Sequence, residues 1–203
     1  MKAKPSYKFY RACYRIARAL FGVVYRTEVR GRENIPNSAA MVCSNHSSLA
    51  DPIFMAFAFG IGFYLHFIAK VELFKIPVLS TVVKKLGAIS VDRDMMDVTT
   101  IKETMRYFKN GEKVAIFPEG TRNPKGEALP IKFGAVKIAE RANVPIIPVY
   151  IPRKKRLFSK VSMVIGEPYQ LTKQERKRSV DDYENLSGQL MSIIEALGPM
   201  KPQ

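Results

Sequence analysis

Acidic residues are scarce in this chain of 203 residues: 18 Asp and Glu stand against 33 Lys and Arg, a formal charge of +15. So basic a surface calls for anionic company, whether nucleic acid, an anionic bilayer, a phosphorylated substrate or an acidic carrier protein. Cysteine is scarcer still. Cys13 and Cys43 fall in separate segments and form no metal-spaced pair, which points to free thiols in a reducing compartment. No zinc-finger spacing and no RNP-type aromatic pattern occurs, so no nucleic-acid partner is expected. Internal repeats and low-complexity tracts are lacking. No Gly-x-Ser-x-Gly elbow supports a serine hydrolase, although Ser47 and Ser48 flank His46. A secretory signal is lacking too: Lys8, Arg11, Arg15 and Arg18 interrupt the apolar N-terminal run, and no small-residue cleavage site follows. The same charges exclude a membrane span there, which needs about 20 nearly uncharged residues.

What is present reads as one globular domain, with 47% apolar and 25% charged residues and enough length for a single real core. Placed on a helix, residues 5–26 put Lys8, Arg11, Arg15 and Arg18 on one narrow stripe. A broad apolar arc, from Phe9 and Tyr10 to Val23 and Val24, covers the rest. That pattern suits an amphipathic helix lying in a membrane interface, because the arc is wider than the one face a surface helix buries. Strands are expected over 39–44, 64–69, 88–91, 113–117, 144–151 and 161–165, and helices over 52–59, 76–86, 98–110, 133–142 and 181–197. Gly60 and Gly62 divide the uncharged stretch 52–69 into a helix and a strand. Gly111 is placed to close its helix in the left-handed conformation. Pro145 and Pro148 demote the 144–151 strand to an edge or an irregular piece. The alternation predicts a single-domain α/β sandwich around a mixed, largely parallel sheet.

Three segments could carry chemistry. Asn45-His46-Ser47-Ser48-Leu49-Ala50-Asp51 joins a strand to a helix, the junction at which α/β sheets display reactive groups. His46 and Asp51 are five apart, so a turn is needed to bring them together. Asp51 could then hold one imidazole nitrogen and leave the other to accept a proton. An ordinary alternative has Asp51 as a helix N-cap followed by Pro52 at the first helical position. Phe117-Pro118-Glu119-Gly120-Thr121-Arg122 follows another strand and offers a carboxylate, a glycine, a hydroxyl and a guanidinium suited to phosphate oxygens. Gly87 to Arg93 delivers a further arginine from a third strand end. Cys43 could be drawn as a dyad with His46, but reads more simply as a small buried hydrophobe. Arg153–Arg156 reads as a solvated basic loop.

Together these segments resemble the glycerolipid acyltransferase family, and within it the 1-acylglycerol-3-phosphate O-acyltransferases. Asn45, His46 and Asp51 match the first block, Arg93 the second, Phe117 to Arg122 the third in full, and Val144 to Val149 the fourth. The stretch from Ala69 to Pro77 looks like the usual link between the first two, so the resemblance runs in order over roughly residues 30–165. It implies acyl transfer from acyl-carrier protein or acyl-CoA to the sn-2 hydroxyl of 1-acylglycerol 3-phosphate, with His46 as general base and Asp51 fixing its tautomer. Glu119 and Gly120 would meet the acceptor's glycerol, with Thr121 beside them. Arg93 and Arg122 would hold its phosphate, with Lys70 and Lys132 nearby. No cofactor and no metal is expected. Glycerol 3-phosphate or another lysophospholipid stays open as acceptor, and a non-catalytic protein binding anionic membranes is the rival from another class. Residues 1–28 are expected to be a membrane-interface segment and 29–203 the catalytic domain, peripheral or monotopic on the cytoplasmic face of the cell membrane.

Overall fold

Ala40–Ser44 is buried at all five positions, which a strand can be only where helices cover both faces of its sheet. A computed structural model, describing residues 5–92, 98–172 and 178–199, shows that arrangement. In chain order the elements are α1 (Tyr7–Val24), β1 (Arg26–Arg30), β2 (Ala40–Ser44), α2 (Asp51–Phe59), β3 (Leu65–Lys70), α3 (Leu79–Lys85), β4 (Ile89–Val91), α4 (Val98–Lys109), β5 (Lys113–Ile116), α5 (Gly134–Ala142), β6 (Ile146–Tyr150), β7 (Lys160–Ile165) and α6 (Val180–Ala196). Gly111, at φ 76°, follows α4 as the spacing predicts.

The strands form one seven-stranded sheet in the order β1-β7-β6-β2-β5-β3-β4. From β6 to β4 every pairing is parallel, β7 runs against β6, and β1 runs with β7. Met41, Cys43, Val114 and Ile146 pack under α4, α5 and α6 on one face. Ala40, Val42, Ile147 and Met163 pack with α1 and α2 on the other. The expected α/β sandwich around a largely parallel sheet is therefore observed.

One expectation fails. β6 is neither edge nor irregular but lies between β7 and β2, with Pro148 opposite Cys43. The Pro148 carbonyl accepts from Gly166 N–H at 2.8 Å, on the β7 side. In extended chain the missing N–H faces that same side, where the ladder to β7 only begins at Val149. The proline therefore removes no bond from the β2 pairing.

Helix α1 divides into three faces. Ser6 caps its start by accepting the Phe9 N–H. Tyr10 is buried, and Tyr14 and Phe21 set their rings edge-on against Phe57 and Phe54 at 5.5 and 5.7 Å. Lys8, Arg11, Arg15 and Arg18 form the exposed basic stripe. Ile16, Leu20 and Val23 lie on a third face and are exposed to solvent. The helix thus packs on the domain with one apolar face and keeps a second one uncovered. No helix among the described residues is long and apolar enough to cross a membrane.

Candidate active site

Parallel pairing brings the C-terminal ends of β2, β3, β5 and β6 to one edge of the sheet, where such folds place their ligands. Beyond β2, Asn45 prolongs the pairing with its side chain. Its Nδ2 donates to the Ile151 carbonyl at 2.7 Å, and its Oδ1 accepts the Ile151 N–H at 2.9 Å. His46 follows with its backbone held on both sides. Its N–H donates to Glu119 Oε2 at 3.1 Å, and its carbonyl accepts from Asn123 N–H at 2.7 Å. The imidazole stacks on Phe117, with centroids 4.2 Å apart and planes inclined by 18°.

The chain then turns so tightly that Asp51 folds back. Its Oδ2 lies 2.9 Å from His46 Nδ1 and accepts the Ser47 and Ser48 N–H groups at 2.6 and 2.7 Å. Its Oδ1 takes Lys155 Nζ at 2.7 Å, and the same ammonium donates to Ser47 Oγ at 2.8 Å. Asp51 is consequently not the N-cap of α2. Ala50 holds that position, and the carboxylate closes the preceding turn instead. Burial alone would raise the Asp51 carboxyl. Hydrogen bonds from His46, Lys155 and Ser48 outweigh it and hold the group at about 2, so it stays charged at neutral pH. The side chain of His46 is 14% exposed, against none for Asp51, so the imidazole faces outward from a buried anion.

Glu119 is buried beside this unit. Its Oε1 accepts Arg153 Nη2 at 2.6 Å, and Arg153 also pairs with Glu195. Burial pushes the Glu119 carboxyl up, opposed by Arg153 and the His46 N–H. Gly120 sits at φ 65°, and a Cβ there would come within 3.2 Å of Lys132 Cγ. Lys132 N–H in turn donates to the Pro118 carbonyl at 2.9 Å. Thr121, Arg122 and Lys132 are exposed around this turn. Lys70 ends β3 and pairs with Glu72 at 2.8 Å. Arg93 lies outside the described residues. The structure therefore joins His46, Asp51 and Glu119 directly and sets Gly120, Thr121, Arg122 and Lys132 on the adjoining turn. Lys70 stands at the same edge without touching them.

Two side chains of the candidate site escape the sequence reading. Arg153 and Lys155 belong to the run read as a solvated loop, yet their side chains are only 13% and 6% exposed. Each neutralises a buried carboxylate, Glu119 and Asp51 respectively, which is the condition under which a cation is tolerated inside. Lys154 between them and Arg156 after them are exposed. The period-two alternation carried on from β6 is the signal that could have found the pair. Cys43 is fully buried in the core under α5 and α6, where burial pushes its thiol up and away from nucleophilic use. Beside Glu119 and Arg153 a cleft of about 1070 Å³ opens, walled by Leu129, Ile131, Tyr150 and Met191 with Lys125 and Lys154. Among the described residues no three His, Cys, Asp or Glu side chains converge as a metal site.

Comparison with known proteins matches this geometry to one family. A family model described as Acyltransferase covers residues 26–152, which include every strand end just described. The chain is 34% identical over 168 residues to a 1-acyl-sn-glycerol-3-phosphate acyltransferase of Bacillus subtilis, covering 78% of this chain and 81% of that one. To the protein of that name from Borreliella burgdorferi it is 32% identical over 158 residues, 76% of this chain and 62% of the other. The crystal structure of the 1-acyl-sn-glycerophosphate (LPA) acyltransferase from Thermotoga maritima superposes with a TM-score of 0.65 at 28% identity, covering 97% of this chain and 80% of that one. With its His46–Asp51 pair at the edge of a parallel sheet and a matched span of this extent, the chain belongs to the acyltransferase family.

Proposed function

We propose that the protein moves a fatty acyl group from an acyl thioester, carried by acyl-carrier protein or CoA, to the sn-2 hydroxyl of 1-acylglycerol 3-phosphate, giving phosphatidic acid. The observation that carries the chemistry is the locked pair: Asp51, fixed by two backbone N–H groups and Lys155, holds His46 Nδ1. His46 Nδ1 then carries the proton, and Nε2 is the base. As the acceptor oxygen attacks the thioester carbonyl, its proton passes to Nε2. Collapse of the tetrahedral adduct breaks the C–S bond, and the departing thiolate takes that proton, so atoms balance without a cofactor. Base assistance of this kind is worth about 10²–10⁴ in rate.

Phe117 keeps the imidazole plane fixed from one side. Each Glu119 oxygen accepts one bond, from His46 N–H and from Arg153, and keeps a lone pair with which to orient the acceptor's glycerol. Arg122 and Lys132, exposed beside the Gly120–Thr121 turn, supply cations for the acceptor phosphate, joined by Lys70 and Arg93. The names of the relatives favour the lyso acceptor over glycerol 3-phosphate. The apolar wall of the cleft beside Glu119 has room for a chain of the donor.

Residues 1–28 serve in this reading as the interfacial segment on the cytoplasmic face of an anionic membrane, as peripheral rather than spanning structure. The uncovered face of Ile16, Leu20 and Val23 beside the basic stripe supports it. Because Tyr14 and Phe21 pack on Phe57 and Phe54, removing the helix would strip the core, and substitutions on the exposed face are the cleaner test.

The reaction is tested with purified protein, 1-acylglycerol 3-phosphate in mixed micelles, and both thioesters, following phosphatidic acid by mass spectrometry. Product from the wild type and almost none from folded His46→Ala supports the proposal. Equal product from both proteins removes the base, and product from glycerol 3-phosphate alone replaces the acceptor.

A further inference from the structure

The turn between β6 and β7 presents Leu157 and Phe158 to solvent side by side, 67% and 75% exposed. Phe158 does so at φ 61°, a conformation that a bulky side chain seldom adopts, so something must hold it. Backbone bonds do. Phe158 N–H donates to the carbonyl of Val24, the last residue of α1, at 2.8 Å, and Arg26 N–H donates to the Ser159 carbonyl at 3.2 Å. Ser159 Oγ closes the turn on the Arg156 carbonyl at 2.7 Å. A solvated loop gains nothing from fixing a phenylalanine outward in an unfavourable conformation.

Topology places this tip. Because β7 runs against β6, the turn joining them lies at the edge of the sheet where β2 and β5 end and His46 sits. Because β1 runs with β7 and pairs Arg26 with Lys160, the end of α1 reaches the same edge. The bond to Val24 thus sets Leu157 and Phe158 beside the end of α1, the helix whose Ile16, Leu20 and Val23 are exposed. Leu49, in the turn between His46 and Asp51, is exposed at that edge too. Exposed Lys154, Arg156, Arg26 and Lys160 surround the tip, with Glu28 as the acidic neighbour, paired to Lys160. An apolar point ringed by cations is complementary to a bilayer whose headgroups are anionic and whose chains lie just below.

We infer that the Leu157–Phe158 turn is a second membrane anchor, inserted in an anionic leaflet beside the end of α1. The inference builds on the interfacial reading of α1 given above and adds what one helix cannot supply. A single helix lying in the interface leaves the domain free to roll about its axis, whereas two contacts fix which edge faces the lipid. The fixed edge is the one bearing His46.

The chain contains no tryptophan, so each substitution to Trp is its own reporter. Phe158→Trp and, separately, Leu20→Trp are added to vesicles of phosphatidylcholine with phosphatidylglycerol, some carrying brominated acyl chains. Both emissions are expected to shift to the blue and to be quenched by the brominated lipid. A shift for Leu20→Trp with none for Phe158→Trp overturns the second anchor and leaves the helix. No shift for either, with no co-sedimentation, overturns both. A shift of Phe158→Trp with acyl-carrier protein but not with vesicles overturns the lipid assignment in favour of that acidic protein. As a second measure, Leu157→Ser/Phe158→Ser is expected to lower vesicle binding by about tenfold or more, since two apolar side chains leave the lipid. Turnover of a short-chain, water-soluble acceptor should stay as in the wild type, and vesicle binding equal to wild type overturns the proposal.

Discussion

Two histidines in this protein have nearly the same neighbours and opposite prospects. His46 stacks on Phe117 and meets the carboxylate of Asp51 at 2.9 Å. His66 stacks on Tyr107 at 3.6 Å and meets the carboxylate of Glu112 at 3.2 Å. The difference is in what surrounds the pairs. Asp51 is saturated by Ser47, Ser48 and Lys155, and its histidine faces outward. His66 is wholly buried, with Nδ1 at 3.2 Å from the Gly87 carbonyl and no direction left for a substrate. A ring, a carboxylate and an imidazole are common to both; the open nitrogen on one side and the locked anion on the other are what the proposed base has and His66 lacks.

The largest effect expected from breaking this comparison is on turnover. His46→Ala should cost about 10²–10⁴ in kcat, whereas His66→Phe should keep kcat within a few-fold. A His66 variant as inactive as the His46 one would mean that the two sites are linked. Next comes stability in acid. Burial, working against Glu112 and the Gly87 carbonyl, holds His66 down at about 4 from its ordinary 6.5. The unfolded chain therefore takes up this proton first, and the contribution, present above pH 6.5, is lost as pH falls to about 4. It amounts to about 3 kcal/mol, seen as a decline in Tm over that range that His66→Phe flattens.

Smaller is the effect of Lys155. Lys155→Met removes the cation that fixes Asp51 without touching substrate, and about a tenfold loss of kcat with KM for the acceptor unchanged is expected, of the order of one charged hydrogen bond. A change in KM alone would make Lys155 a substrate contact instead. Smallest is Cys43→Ala, for which a loss of about 1 kcal/mol in stability and none in turnover is expected from thermal unfolding and assay. Lost activity in a folded Cys43→Ala protein would reopen the thiol.

Much of this was legible in the chain. The apolar run from Ala39 to Cys43 announced a short buried strand, and the two polar turns that follow strand ends announced the candidate site. β1 was hidden because Arg26–Arg30 alternates charged and small residues, as an edge strand exposed to water will. Pro148 misled because its cost depends on which side its missing N–H faces, and only the pairing decides that. Arg153 and Lys155 were hidden for a related reason. A basic run looks solvated until the buried carboxylates that claim every second member are located across the sheet. Arg93 lies outside the described residues, and the order of its block is what sequence alone contributes.

Asn45 has a consequence for how the molecule breathes. By trading two hydrogen bonds with Ile151, it welds the last rung of the central ladder just where the strands would otherwise fray. The Ile151 amide should therefore exchange with deuterium on the schedule of the central strands rather than of a loop. Opening the turn that carries His46 would then require opening the middle of the sheet. The site would be as long-lived as the fold itself, and selection for a durable core would protect its geometry as well.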